Sequence, residues 1–218
     1  MRSSLLLGLA LLLTGCNHTT IFRADFDSDT VGGAPADMPP GEPAGDQIAI
    51  SGEAANVTVV DSAPLSSIAM RIERAALALA VDCIPVGGPY VEGGFVIGFT
   101  GASQFANAAP LTVSVVDPAD VPLVAFTLAG GQIEVQGAGA FPIGYAANQE
   151  HGVLLGFNLD DGTYTLTIGN GSEADSIDAA PLLPGASFAK LRFDFPAEVL
   201  EANPGVYVVD DVVISMAN

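Results

Sequence analysis

The chain has 218 residues, half of them hydrophobic, with 25 acidic side chains against six basic ones and a formal net charge of −19. So apolar a composition, with only 14% of residues charged, excludes a disordered chain, and the length suits one domain with a sizeable core. The charge sets the protein against nucleic acid and anionic headgroups and disfavours a polyanionic substrate; its plainest meaning is a solvated acidic face.

The first element is the stretch MRSSLLLGLALLLTGC. One arginine precedes an apolar run from Leu5 to Leu13, too short to span a bilayer as a helix and followed at once by polar residues. That pattern reads as an export signal. Leu13-Thr14-Gly15-Cys16 resembles the lipobox of bacterial lipoproteins, in which the cysteine is acylated and becomes the new N-terminus. The resemblance implies removal of residues 1–15, lipidation of Cys16 and a membrane partner held through the lipid. Several acyl chains on one residue bind a bilayer firmly, since each buried methylene contributes ~0.8 kcal/mol. Asn17 stands where an aspartate would favour inner-membrane retention, which implies outer-membrane sorting or surface display. Loss of Arg2 leaves five basic residues against 25 acidic ones, a mature side-chain charge of −20.

Residues 16–20 form a short tether, and residues 21–218 read as a single domain held close to the membrane. After Cys16 the one remaining thiol is Cys83, in Val81-Asp82-Cys83-Ile84. No intrachain disulfide is then available, and Cys83 reads as a small buried hydrophobe.

Strand-like stretches follow in order. Phe22 to Asp27 comes first, then a loop from Gly32 to Asp46 rich in proline and glycine, then Gln47 to Ile50 and Asn56 to Val60. Ser67 to Val81 carries two patterns. Ile68, Ile72, Ala75, Ala76 and Leu79 would line a helix, whereas Leu77, Leu79 and Val81 alternate as a strand does. The strand-rich surroundings favour two consecutive strands there. Val91 to Thr100, Leu111 to Asp117, Val121 to Leu128 and Gln132 to Gln136 continue the series, with Asp117-Pro118-Ala119-Asp120 as a turn. His151 to Leu159 and Thr163 to Ile168 flank Asp160-Asp161-Gly162, which suits a tight hairpin. Ser187 to Phe195 and Val206 to Ser215 close the chain. About a dozen strands and no assured helix make an all-β protein, an antiparallel β-sandwich or barrel.

The motif order resembles concanavalin A-like jelly rolls of the laminin-G type. Asp25-Phe26-Asp27-Ser28-Asp29-Thr30-Val31-Gly32 is similar to their opening, and Glu150 to Leu155 followed by Gly162 to Gly171 to a late hairpin. Tyr207-Val208-Val209-Asp210-Asp211-Val212-Val213-Ile214 is similar to their terminal strand. The resemblance implies that the first and last strands are neighbours, which would bring Asp25 and Asp27 toward Asp210 and Asp211. Some such domains hold calcium there, so these four are the candidate metal ligands; the competing expectation is that Arg23, Arg192 or backbone amides satisfy them. By alternation Val208, Val212 and Ile214 share a face with Asp210, and Tyr207, Val209 and Val213 share the other with Asp211. Asp25-x-Asp27-x-Asp29 is not an EF-hand loop, because Thr30 replaces the turn glycine and Ala36 the bidentate glutamate.

Within the domain His151 is the sole histidine, which excludes a multi-histidine zinc site, and no G-x-S-x-G is present. Gln149-Glu150-His151 has the Gln-x-His form of jelly-roll alginate lyases, and Arg71-Ile72-Glu73-Arg74 is similar to their arginine–glutamate strand. In such a lyase His151 would abstract a proton, Gln149 and Arg71 would neutralise a uronate, and Tyr164 would complete the acid–base pair. The Tyr-x-Lys-Ala-Gly strand of those enzymes is missing, and a charge of −20 opposes a polyuronate. His151 reads more simply as the half-exposed first residue of a strand. Glycan binding is the broader competitor, with Tyr90, Tyr145 and Tyr207 as stacking candidates. The sequence thus points to a non-enzymatic surface protein with a structural or binding role toward a glycan or a surface protein, with the lyase as alternative.

Overall fold

The computed structural model describes residues 18–218 except 37–42, 44, 62–64, 66, 75–76, 106–108 and 197–204. Cys16 and the export segment lie outside the described residues. In chain order the strands are β1 (His18–Ala24), β2 (Gln47–Ser51), β3 (Val57–Asp61), β4 (Ile68–Glu73), β5 (Leu79–Ile84), β6 (Gly94–Ser103), β7 (Leu111–Val116) and β8 (Pro122–Ala129). They continue as β9 (Gln132–Val135), β10 (Gly139–Ala140), β11 (His151–Asn158), β12 (Thr163–Gly169), β13 (Ala174–Pro181), β14 (Lys190–Phe195) and β15 (Val206–Ala217). Among the described residues no helix is long and apolar enough to cross a membrane.

Two antiparallel sheets pack face to face. Sheet A runs β13-β12-β11-β6-β15-β4-β3, and β1 joins it beside β15. Sheet B runs β10-β9-β8-β7-β14-β5-β2. The long β15 pairs β6 along one edge. Its other edge is shared by β4, over Val206 to Val209, and β1, over Val212 to Ala217. The first and last strands are therefore neighbours, as the family resemblance implies.

Alternation builds the core. Val153, Leu155 and Phe157 of β11, Leu166 and Ile168 of β12, and Phe95, Ile97 and Phe99 of β6 meet Leu191, Phe193 and Phe195 of β14 between the sheets. Each such side chain contributes roughly 1.5–3 kcal/mol on burial. Phe95, Phe157 and Phe188 stack and tilt against one another with ring centroids 5.1 to 5.2 Å apart. Ile68–Glu73 and Leu79–Ile84 form two strands, as expected: Leu79, Val81 and Cys83 are wholly buried at period two.

Three features differ from the sequence reading. Strand β1 begins at His18, not Phe22, because His18, Thr19 and Thr20 pair with Ala217, Met216 and Ser215; most of the expected tether is sheet. Strand β13 is new; its ADSIDAAP sequence has a single large apolar residue, and it holds the sheet edge by backbone pairing and a Thr167–Ser176 hydroxyl bond of 2.9 Å. The alternation along β15 also breaks. A bulge lies between Asp210 and Val213, with Asp211 at φ +53°, so Tyr207 and Val209 face the core before it and Val212 and Ile214 after it. An inserted residue shifts the phase by one, which a strict period-two reading cannot anticipate.

Candidate functional site

Because Leu191, Phe193 and Phe195 enter the core, Lys190, Arg192 and Asp194 share the outer face of sheet B. Pairing places Asp82 of β5 opposite Arg192 on one side and Ser114 of β7 on the other. Asp82 accepts a bidentate fork from Arg192, Nε at 2.6 Å and Nη2 at 2.9 Å, and meets Lys190 Nζ at 2.9 Å. Asp120, from the β7–β8 turn, reaches the same cations at 2.8 Å (Lys190) and 3.1 Å (Arg192). Lys190 is the only lysine in the chain.

The cluster is electrostatically closed. The bond from Lys190, helped by Arg192, holds Asp120 below the usual carboxylate range against the pull of burial. For Lys190 burial is the largest single effect and works against the charge, but the bonds to Asp120 and Asp82 outweigh it and raise its pKa. The bond to Asp82 raises Arg192 likewise. Burial raises Asp194, with Arg192 beside it working the other way. The neighbouring outward positions are small: Ala49 opposite Asp82, Ala80 opposite Asp194, and Ala125 beyond Ser114. Fixed charge-assisted donors and acceptors therefore stand on the outer side of sheet B, with Asp82, Ser114 and Ala125 buried among them.

The sequence reading did not assemble this cluster. The alternation of Lys190, Arg192 and Asp194 was visible in it, but the opposing Asp82 and the reach of Asp120 depend on register between distant segments. Arg192, an expected partner for the terminal aspartates, is committed to Asp82 and Asp120 instead.

The candidate calcium ligands lie near one another. Asp25 pairs with Arg23 at 3.2 Å and accepts the Asp27 backbone N–H at 3.4 Å. Asp210 accepts the Ser67 hydroxyl and the Asp211 backbone N–H. Burial pushes Asp210 up to about 7, partly offset by Ser67 and reinforced by Asp211. Burial also raises Asp211, with Asp25 and Asp27 adding repulsion. Among the described residues no group of three or more His, Cys, Asp or Glu side chains is arranged to hold a metal ion.

The four lyase candidates are not brought to one face. His151 is buried rather than half exposed, because it is in phase with Val153, Leu155 and Phe157. Its Nε2 lies 2.6 Å from the Tyr207 hydroxyl, and burial pushes its pKa down from 6.5 to about 4, with the Gln149 backbone working against that shift. Gly101 makes the pair possible: a Cβ there would collide with the Tyr207 ring and hydroxyl. Tyr164 also faces the core. Arg71 is ion-paired to Glu73 at 2.5 Å, and the Gln149 side chain accepts the Ala146 N–H at 3.0 Å in the preceding loop. Of the tyrosines expected to stack on sugars, Tyr145 and Tyr207 are core residues, and only Tyr90 keeps partial exposure, its hydroxyl on the Val86 carbonyl.

The outer face of sheet A is different in kind. It carries an open depression of about 240 Å³ whose lining includes Gly94, Gly156, Asn158, Thr163, Thr165 and Ala217.

No family model and no curated protein matches this chain, but many solved structures share its architecture. The catalytic domain of a glycoside hydrolase family 131 protein from Coprinopsis cinerea superposes with a TM-score of 0.60 at 13% identity, over 89% of this chain and 93% of that one. The fold is a concanavalin A-like jelly roll. Arcelin-5, a lectin-like defense protein from Phaseolus vulgaris, gives 0.57 at 12% identity over 91% of this chain and 98% of its own. An alginate lyase of polysaccharide lyase family 7 gives 0.56 at 10% identity, over 74% and 82%. The chain also matches a sialidase, spanning 18% of that longer protein. Lectins and polysaccharide-cleaving enzymes are thus built on this sandwich, and identities this low carry the fold alone.

Proposed function

We propose that this protein is an exported, lipid-anchored surface protein that binds a neutral glycan, without cleaving it, on the outer face of sheet B. The carrying observation is the closed cluster of Asp82, Asp120, Lys190 and Arg192 beside Asp194. An ion-pair network on a sheet face is weak as a source of stability, since desolvation offsets much of the attraction. As a rigid set of hydrogen-bonding groups it serves recognition well, because sugar hydroxyls both donate and accept. Arg23, Arg71, Lys190 and Arg192 are already ion-paired. A polyuronate would have to break those pairs and approach a charge of −20, which is why a neutral chain is favoured. Lectin-like relatives in fold support a glycan role, and the dispersal of Arg71, Gln149, His151 and Tyr164 speaks against alginate-lyase chemistry. Acylation at Cys16 supplies the membrane partner in this reading.

Affinity electrophoresis in gels containing soluble β-glucan, xylan, mannan or alginate tests the binding. A neutral polymer should retard the protein, and Asp194→Ala and Arg192→Lys should weaken that retardation about tenfold or more, the loss of roughly one charge-assisted bond. Retardation by alginate alone, with release of unsaturated products, would establish the lyase instead. No retardation by any polymer would remove the glycan reading.

A further inference from the structure

We propose that the outer face of sheet A is the side on which the domain rests against the lipid surface. The inference depends on the acylation of Cys16 put forward above, and it assigns an orientation that acylation alone does not. Strand β1 starts at His18, so only Asn17 separates the acylated position from the sandwich, a span of about 7 Å. The domain therefore cannot move away from the bilayer or turn freely above it.

The edge from which the anchor leaves is set by pairing. His18 lies opposite Ala217. Ala217 is the next residue after Met216, which pairs with Phe95, and so adjoins Gly94. Gly94 lies opposite Asn158, and Asn158 opposite Thr163. The row that forms the depression thus begins beside the anchored strand end and runs across sheet A.

Charge distinguishes the β6–β11–β12 part of sheet A from sheet B; the ion pairs Arg23–Asp25 and Arg71–Glu73 lie on the other side of sheet A, toward β1 and β4. Strands β6, β11 and β12, the middle of sheet A, contain no Asp, Glu, Lys or Arg, in a chain with 25 acidic residues. Outward they present glycine, threonine and asparagine together with Val96 and Leu154, which can meet headgroups without stripping water from a charge. The outer side of sheet B carries the cluster of Asp82, Lys190 and Arg192, with the half-exposed Asp120 as its most solvated member, a charge that would lose hydration at such a contact. Glu92, Asp160 and Asp161 are exposed near the anchored end, with Asp160 bonded to the Gly93 N–H. They repel an anionic surface, so the partner is a zwitterionic bilayer. Since the two sheets lie back to back, this orientation turns the charged face of sheet B outward, where a glycan can reach it.

The test uses the full-length acylated protein in phosphatidylcholine vesicles, with a fluorescent label at Thr165→Cys on sheet A or Ala49→Cys on sheet B. Cys83 is wholly buried and stays unlabelled. A quencher attached to the headgroup should quench the Thr165→Cys label several-fold more than the Ala49→Cys label, and anionic lipid should narrow the difference. Equal or reversed quenching in protein that floats with the vesicles overturns the orientation while leaving the anchor intact. Protein that does not float, with Cys16 free of acyl mass, overturns the anchor and the orientation together. Shielding of Thr165→Cys that grows with protein concentration in detergent would show a second copy on this face and overturn the lipid contact.

Discussion

Removing the buried imidazole should abolish a specific acid sensitivity. His151 is 3% exposed, and its pKa stands at about 4 in the fold against 6.5 for a solvated histidine. Between those values the unfolded chain takes up a proton that the folded one refuses, so stability falls as pH falls. Above pH 6.5 the side chain is neutral in both states and the effect vanishes. The gap corresponds to ~3 kcal/mol in full, of which ~2 kcal/mol is lost by about pH 5. Replacing His151 alone would orphan the Tyr207 hydroxyl, so the useful variant is His151→Leu with Tyr207→Phe, which removes both partners of the 2.6 Å bond. Urea unfolding of the parent and the double variant from about pH 7.5 to about pH 4.5 isolates the histidine, because the other titrating groups are common to both. The parent should lose ~2 kcal/mol more than the variant by about pH 5. Parallel profiles, within about 0.5 kcal/mol throughout, would falsify the claim that the folded state holds this imidazole neutral.

Asp210 should act in the opposite sense. Its folded pKa, pushed up to about 7, lies above the ordinary carboxylate value of 3.8, so the folded state holds the proton more tightly and stability is lost as pH rises between those values. Asp210→Asn should therefore gain about 1–3 kcal/mol relative to the parent at about pH 8 and nothing at about pH 4, read from the same denaturation series. A gain that does not depend on pH would mean the carboxylate is not the cause. Gly101→Ala places a Cβ on the Tyr207 hydroxyl and should cost about 2–4 kcal/mol in denaturant midpoint, since Tyr207 must leave His151 to make room. A cost below about 0.5 kcal/mol would show that the ring moves freely and that the buried bond constrains little.

The sandwich was legible in the sequence because its central strands alternate cleanly. Val153, Leu155 and Phe157, or Leu191, Phe193 and Phe195, state which face is buried without reference to any other part of the chain. The helix-like stripe gave way to strands at Ile68, Ile72 and Leu79, which pair with Asp61, with Val57 and Tyr207, and with Phe195, partners that a helix would not supply; Ala75 and Ala76 lie outside the described residues. Strand β13 escaped notice because an edge strand needs backbone pairing more than apolar side chains. His151 misled for a related reason: a polar residue opening a strand is ordinarily exposed, and only the gap left by Gly101 and the partner hydroxyl of Tyr207 make its burial tolerable.

The chain's composition, its export-like first segment and the phase of most strands follow from short-range order, since period-two alternation is a property of neighbours. Which side chains stand opposite one another is not. The pairing of Asp82 with Arg192, the crossing of Asp120 to Lys190, the bulge that reverses the phase at Asp211 and the uncharged row beside Ala217 all depend on register between segments far apart in the chain. That register is fixed by the fit of two sheets around a common core, a condition on the whole molecule that no local stretch contains.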